Sequence, residues 1–277
     1  MRSRTLGFLG VFCLLGLASA LGQEAQPDMA AGRPAASMSE MTCSGFIAGQ
    51  PVSKDIYLFN GADDDLLSYV RSWLPGEHVF LRSRSGANIA VGTEYSLVRP
   101  AGDLMRVHWY DGQGASIRSL GTPYENVGRA KVVRTTPDGA IAEVTAACRM
   151  ITRGAIAIPL VNQPSPQFSA SQLDRYAPPS GKLMGAITAG VDNAAYFGGG
   201  SLAYINLGTS DGVSAGQKFR VFHILMDEPA GANTLPPPGP RQTTGELIVL
   251  STDEKSSLAK IIKSTREIKL GDGIEQE

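Results

Sequence analysis

The chain repeats itself. A glycine-anchored pattern from Gly128 to Gly154 returns from Gly245 to Gly271, each pair 26 residues apart. A shift of 117 places Gly128 on Gly245, Val132 on Val249, Thr135 on Thr252, Ala142 on Ala259, Arg149 on Arg266, Ile151 on Ile268 and Gly154 on Gly271. Upstream, an ungapped shift of 124 lays Phe80 on Tyr204, Leu81 on Ile205, Gly92 on Gly216, Tyr95 on Phe219 and Leu97 on Val221. Apolar falls on apolar and glycine on glycine, so much of the protein is one module used twice. Scaffolds are duplicated more readily than chemistry. Specificity is therefore expected where the copies differ.

The module reads as β-structure. In the second copy, Leu202–Leu207 and the strictly alternating Lys218–Ile224 are strand candidates, separated by the turn-forming Gly208-Thr209-Ser210-Asp211-Gly212. Glu246–Leu250 and Leu258–Ile262 flank the polar turn Asp253-Glu254-Lys255-Ser256 as a β-hairpin. The first copy follows the same course, with its hairpin turn at Thr136-Pro137-Asp138-Gly139. Between its strands it inserts residues 105–118, which read as an extra hairpin or long excursion with an exposed tip. Five or six short strands per copy must each bury one face, which predicts a small antiparallel barrel or sandwich. The fold class is mainly β, two tandem small antiparallel β-barrel or sandwich domains from an internal duplication. The best helical spacing is Asp64–Trp73, where Leu66, Leu67, Val70 and Trp73 recur behind acidic residues.

The N-terminus carries Arg2 and Arg4, an apolar run from Leu6 to Leu17 and the small residues Ala18-Ser19-Ala20. This is the pattern of a secretory signal peptide over 1–20, the run being too short for a membrane-spanning helix. No later segment approaches the length of a span, so no transmembrane segment is expected after cleavage. Residues 21–41 read as a disordered spacer, 42–158 as the first β-domain, 159–182 as a Pro-rich linker and 183–277 as the second β-domain. The linker holds Pro159, Pro164, Pro166, Pro178 and Pro179, which fix the backbone as extended. A further Pro-rich stretch, residues 229–244, reads as an exposed loop inside the second copy.

Without Arg2 and Arg4 the chain carries 23 basic and 26 acidic residues. A slightly acidic surface gives no support for nucleic-acid binding or adsorption to anionic lipid. Two cysteines remain after cleavage, Cys43 and Cys148. In an exported chain an even pair reads as one disulfide, the alternative being free thiols.

Motifs for chemistry are few. Gly208–Gly212 matches G-x-S-x-G, but a nucleophile elbow needs a helix directly after the serine, and a strand follows here. Ser257 and Lys260 match S-x-x-K, yet positions three apart on a strand face opposite ways. Asp63-Asp64-Asp65 lacks the glycine and terminal glutamate of a calcium loop. His78, His108 and His223 are scattered, and Gly198-Gly199-Gly200 precedes a strand rather than a helix. No catalytic residue, cofactor or metal is therefore expected. His108, Trp109 and Tyr110 on the excursion are the candidate partner contacts, because exposed aromatics anchor glycans or proteins.

Tyr204-Ile205-Asn206-Leu207-Gly208, Asp211-Gly212-Val213, Gly216-Gln217-Lys218-Phe219-Arg220-Val221, Thr244-Gly245-Glu246-Leu247 and Gly271-Asp272 resemble the C-terminal module of flagellar assembly protein T and related bacterial envelope proteins. The resemblance covers about residues 200–275 and, more faintly, 76–158. It implies a small β-barrel whose glycines set the turns, a periplasmic assembly role and no active site. The expectation is an exported, non-catalytic structural or interaction component of a bacterial cell envelope, whose partner is an envelope protein or cell-wall component. The alternative is a peptidoglycan or glycan binding module using the aromatic loop around Trp109.

Overall fold

The computed structural model describes residues 32–63, 72–169, 172–224 and 241–277. The expected signal peptide, most of the helix expected at Asp64–Trp73 and most of the second Pro-rich stretch lie outside these residues. In chain order the elements begin with α1 (Met38–Cys43), β1 (Phe46–Ala48), β2 (Ile56–Gly61), β3 (His78–Ser83) and β4 (Glu94–Pro100). Two helices follow, α2 (Gly102–Arg106) and α3 (Gln113–Leu120), then β5 (Thr122–Thr136), β6 (Gly139–Ala147) and β7 (Ile156–Pro159). The second half holds β8 (Met184–Gly190), β9 (Tyr196–Phe197), β10 (Leu202–Ile205), β11 (Lys218–Ile224), β12 (Arg241–Thr252), β13 (Ser257–Ser264), β14 (Ile268–Lys269) and β15 (Gly273–Gln276).

Two closed six-stranded antiparallel barrels result. The first runs β2-β3-β6-β5-β4-β7 and closes back on β2 through the Tyr57–Ile156 pair, with β1 added outside on β5. The second runs β8-β10-β13-β12-β11-β15 and closes on β8. Numbered from its own first strand, each barrel has the same cyclic order, 1-2-5-4-3-6. Closure removes the unpaired edges that an open sheet of such short strands would expose.

The duplication holds at the level of single hydrogen bonds. Gly92 N–H donates to Val132 C=O at 2.8 Å, and Gly216 N–H donates to Val249 C=O at 2.8 Å. Both glycines have left-handed φ, +84° and +89°, which a side chain would strain. The bulge of β5 opposite Leu97 and Val98, with Val127 as the extra residue, recurs on β12 opposite Val221 and Phe222, with Thr244 as the extra residue. Gly128 and Gly245 are kept for closeness of approach. A Cβ at either would lie 2.5 Å from a carbonyl oxygen, of Ala146 or Lys263, and 2.6 Å from the Cδ1 of Ile151 or Ile268. A shift of 129 relates the first strands too, because the bulge between Leu58 and Asn60 recurs between Ile187 and Ala189.

Alternation does the rest. Tyr95 and Leu97 point into the first barrel with Leu58, Leu81, Val132 and Trp73. Their counterparts Phe219 and Val221 point into the second with Ile187, Ile205, Val249 and Phe197. Each interior is filled by apolar side chains, as expected for so few strands.

Two expectations need correction, and a third gains detail. The excursion is not a hairpin but the helices α2 and α3, with Leu104 of α2 buried and Gln113, Ile117 and Leu120 of α3 buried at helical spacing. Gly112, at φ +89°, supplies the left-handed turn before α3. The described part of the expected spacer, residues 32–41, is structured. Pro34 bridges to Gln167, Ala35 and Ala36 are buried, and Ser37 with Glu40 forms a capping box on α1. The Pro-rich linker is extended but strapped down, with Phe168 buried and the Ser180 and Gly181 N–H groups bonded to Glu275.

Candidate functional site

The two barrels meet through a third core, and the first copy's additions build it. Ile47 of β1, Leu104 of α2 and Ile117 and Leu120 of α3 pack with Ala35, Ala36 and Phe168 onto Ala189, Tyr204, Ile248, Leu250 and Leu258 of the second barrel. The copies differ accordingly. Ile248 and Leu250 are buried here, whereas their counterparts Lys131 and Val133 on the first barrel are exposed. One outer face stayed solvated and the other turned apolar because it is covered.

Polar contacts frame this core. Lys260 Nζ lies 2.6 Å from Glu40 Oε1, and Tyr204 O–H donates to the carbonyl of Ser44. Ser256 Oγ–H donates to Ile47 C=O at 2.9 Å, Gly49 N–H to Asp253 Oδ1 at 2.9 Å and the buried Gln113 Nε2–H to Thr188 C=O at 3.0 Å. Burial pushes the Tyr204 hydroxyl far above the ordinary phenol range. Burial also raises the Glu40 carboxyl, but hydrogen bonds from Lys260 and Ser37 outweigh it and hold it below its usual value.

On one side of the junction Arg149 pairs with Glu125 at 2.9 Å and with Asp192 of the second barrel. Asp192 and Asn193 both adopt left-handed φ, 58° and 57°, a conformation that Asp and Asn tolerate better than other side chains. On the other side lies a cleft of about 260 Å³ lined by Phe46, Asn126, Val161, Ser251 and Leu258.

The sequence-expected residues fall into place here. Cys43 and Cys148 form a disulfide with Cα atoms 5.3 Å apart, tying α1 to the first barrel. Trp109 and Tyr110 are partly exposed, as expected for an exposed tip. Yet the Trp109 indole N–H donates to the Asn193 carbonyl at 3.0 Å, so the ring braces one barrel against the other. His108 packs on α3, where a Cβ at Gly114 would lie 2.4 Å from its ring. His108 and Trp109 thus have partners within the chain, while Trp109 and Tyr110 keep exposed surface.

The motif residues are also engaged. Ser210 sits in an exposed turn with its N–H donating to Glu254 C=O at 2.9 Å. Ser257 Oγ–H donates to Leu207 C=O at 2.7 Å, and Lys260 is spent on Glu40. Sequence reasoning missed a His–acid pair, His223 Nδ1 to Asp272 Oδ1 at 2.7 Å, because the partners are 49 residues apart. Among the described residues no three His, Cys, Asp or Glu side chains gather as a metal site would need. No described helix is long and apolar enough to cross a membrane.

A buried carboxylate clamps the second barrel. Glu275 is fully buried and receives Arg220 Nη2 at 3.2 Å, Arg241 Nη2, and the N–H groups of Ser180 at 2.5 Å and Gly181 at 3.2 Å. Burial raises its pKa, but the hydrogen bonds from Ser180 and Arg241 prevail and hold it below the ordinary 4.5. A depressed folded-state pKa contributes stability above the unfolded value, and that stability is lost as pH falls through the folded one. The melting temperature of the wild type is therefore expected to fall steadily below about pH 4.5, and less steeply in Glu275→Gln, as followed by circular dichroism. Equal slopes would contradict the clamp.

Compared with known proteins, the chain matches no family model and no curated relative.

Proposed function

We propose that this protein is an exported, non-catalytic structural or interaction component of a bacterial cell envelope, working as one rigid two-barrel body. The observation that carries this reading is the fate of the features found in one copy only. Trp109, Ser257 and Lys260 are each engaged in holding backbone or barrels together. The signal-peptide pattern of residues 1–20 supports export, and the disulfide suits an oxidising compartment. The likeness of residues 200–275 to the C-terminal module of flagellar assembly protein T supports an assembly role in the periplasm.

The glycan reading loses ground because Trp109 is held by Asn193 across the barrel junction. Sedimentation with purified cell-wall sacculi is expected to leave the protein in the supernatant. Formaldehyde treatment of intact producing cells is expected to trap it in a discrete protein adduct that Trp109→Ala preserves. Sacculus binding that Trp109→Ala abolishes would establish the glycan module instead. Absence of any protein adduct would sink the interaction reading.

A further inference from the structure

The first barrel carries a face that the duplication marks out. On the second barrel, the outer surface of β8 and β10 is covered by other segments of the chain. There Tyr204 donates to Ser44, Thr188 accepts from Gln113, and both residues are buried beneath the first barrel's additions. By the shifts of 124 and 129, the same positions on the first barrel are Phe80 for Tyr204 and Phe59 for Thr188. Both rings are only half-buried.

This face is built differently from its twin. Phe59 and Phe80 meet edge to face with centroids 6.4 Å apart. The Arg82 guanidinium lies 4.0 Å over the Phe59 ring and 5.8 Å from that of Phe80, and the Arg84 guanidinium lies 4.3 Å over Tyr57. Two guanidinium groups thus lie among three aromatic rings on this face. Among the described residues neither arginine has a carboxylate partner, and the one hydrogen bond from Arg84 goes to the Lys54 carbonyl. The nearby Asp55 carboxylate is taken up by Ser83 and Ser85. A guanidinium held over an aromatic ring retains N–H donors for a carboxylate and loses less freedom on binding it than an unsupported side chain would.

We propose that this outer β2–β3 face is a docking surface for a polypeptide partner that presents carboxylates to Arg82 and Arg84 while packing on Phe59 and Phe80. The occupant is a polypeptide because polypeptide covers the equivalent face of the second barrel, there supplied by this chain itself, and it is acidic because among the described residues neither guanidinium has a carboxylate partner. The mode of attachment is not a copy of the junction. At the position of Lys260, which receives Glu40, the first barrel has Glu143, so the basic charge has moved to the opposite end of the face.

The surface rests on the interaction reading above, and it can fail separately from it. The probe is a fluorescein-labelled oligo-glutamate peptide titrated into the oxidised protein, followed by anisotropy. Binding is expected to weaken with salt and to fall at least about tenfold, roughly 1.4 kcal/mol, in Arg82→Gln. Arg82→Lys is expected to lose most of the same affinity, because an ammonium keeps the charge without the planar edge. Lys263→Gln, an exposed cation on the second barrel, is expected to bind as the wild type does. Equal binding by Arg82→Gln, or full rescue by Arg82→Lys, would overturn the proposed geometry. Binding of an oligogalacturonate of the same length as tightly as the peptide would overturn the polypeptide assignment. Failure of the titration with the in-cell adduct intact removes this surface alone.

Discussion

Replacing Cys43 and Cys148 together with serine is expected to lower the stability of the oxidised protein by about 4 to 5 kcal/mol. The bond joins residues 105 apart, and closing a loop of that length restricts the unfolded chain by this amount in the chain-entropy account. The loss is expected to be local in origin as well. Cys43 ends α1, the helix that sends Glu40 to Lys260, and Ser44 just beyond it accepts from Tyr204. Cys148 precedes Arg149, which reaches Asp192. One covalent bond therefore braces two contacts across the barrel junction. Urea unfolding should move to a lower midpoint, with the amides of α1 exchanging fastest. A stability change below about 1 kcal/mol would mean that α1 is held by its packing alone.

Phe219→Ala is expected to cost about 3 to 5 kcal/mol, the usual range for deleting a fully buried aromatic ring. The ring sits inside the second barrel with Val221, Leu247 and Val249, in a close-packed interior where lost volume is felt. The more informative result is where the change is felt. The protein has two tryptophans, Trp73 inside the first barrel and Trp109 at the junction. If the third core couples the barrels, both fluorescence signals shift together to lower denaturant in Phe219→Ala. A Trp73 transition that stays in place while the strand signal of the second barrel moves would show the barrels unfolding independently.

Much of the architecture was legible because it rests on short-range patterns that the duplication states twice. Gly92 and Gly216, or Gly128 and Gly245, announce themselves by matching in both copies, and each has one geometric reason. The alternation at Lys218–Ile224 gave the inward set of β11, Phe219 and Val221, directly, whereas it did not show that the next residue, Phe222, is also buried, packed against Gly273 and beneath Arg241. The helices α2 and α3 were misread because their buried residues face another barrel rather than their own. Leu104, Ile117 and Leu120 make sense only once Ile248, Leu250 and Leu258 are opposite them.

The same limit hid the junction. Glu40 and Lys260, or Trp109 and Asn193, are brought together by the docking of the barrels, and nothing in their sequence neighbourhoods signals it. The aromatic tip looked like a free anchor because exposure can be inferred from a loop, whereas a partner far along the chain cannot. The Phe59, Phe80, Arg82 and Arg84 face escaped notice for a related reason. Its residues are ordinary strand residues until the second barrel shows what the corresponding face is used for.

The central claim is that two copies of one barrel are locked into a single body by the segments that only the first copy carries. Residual dipolar couplings of the backbone amides measure this most directly, using the oxidised protein in one alignment medium. The predicted result is a single alignment tensor that fits the amides of Leu81, Leu97 and Val132 together with those of Ile205, Val221 and Val249. Two tensors of different magnitude, one for each barrel, would contradict it.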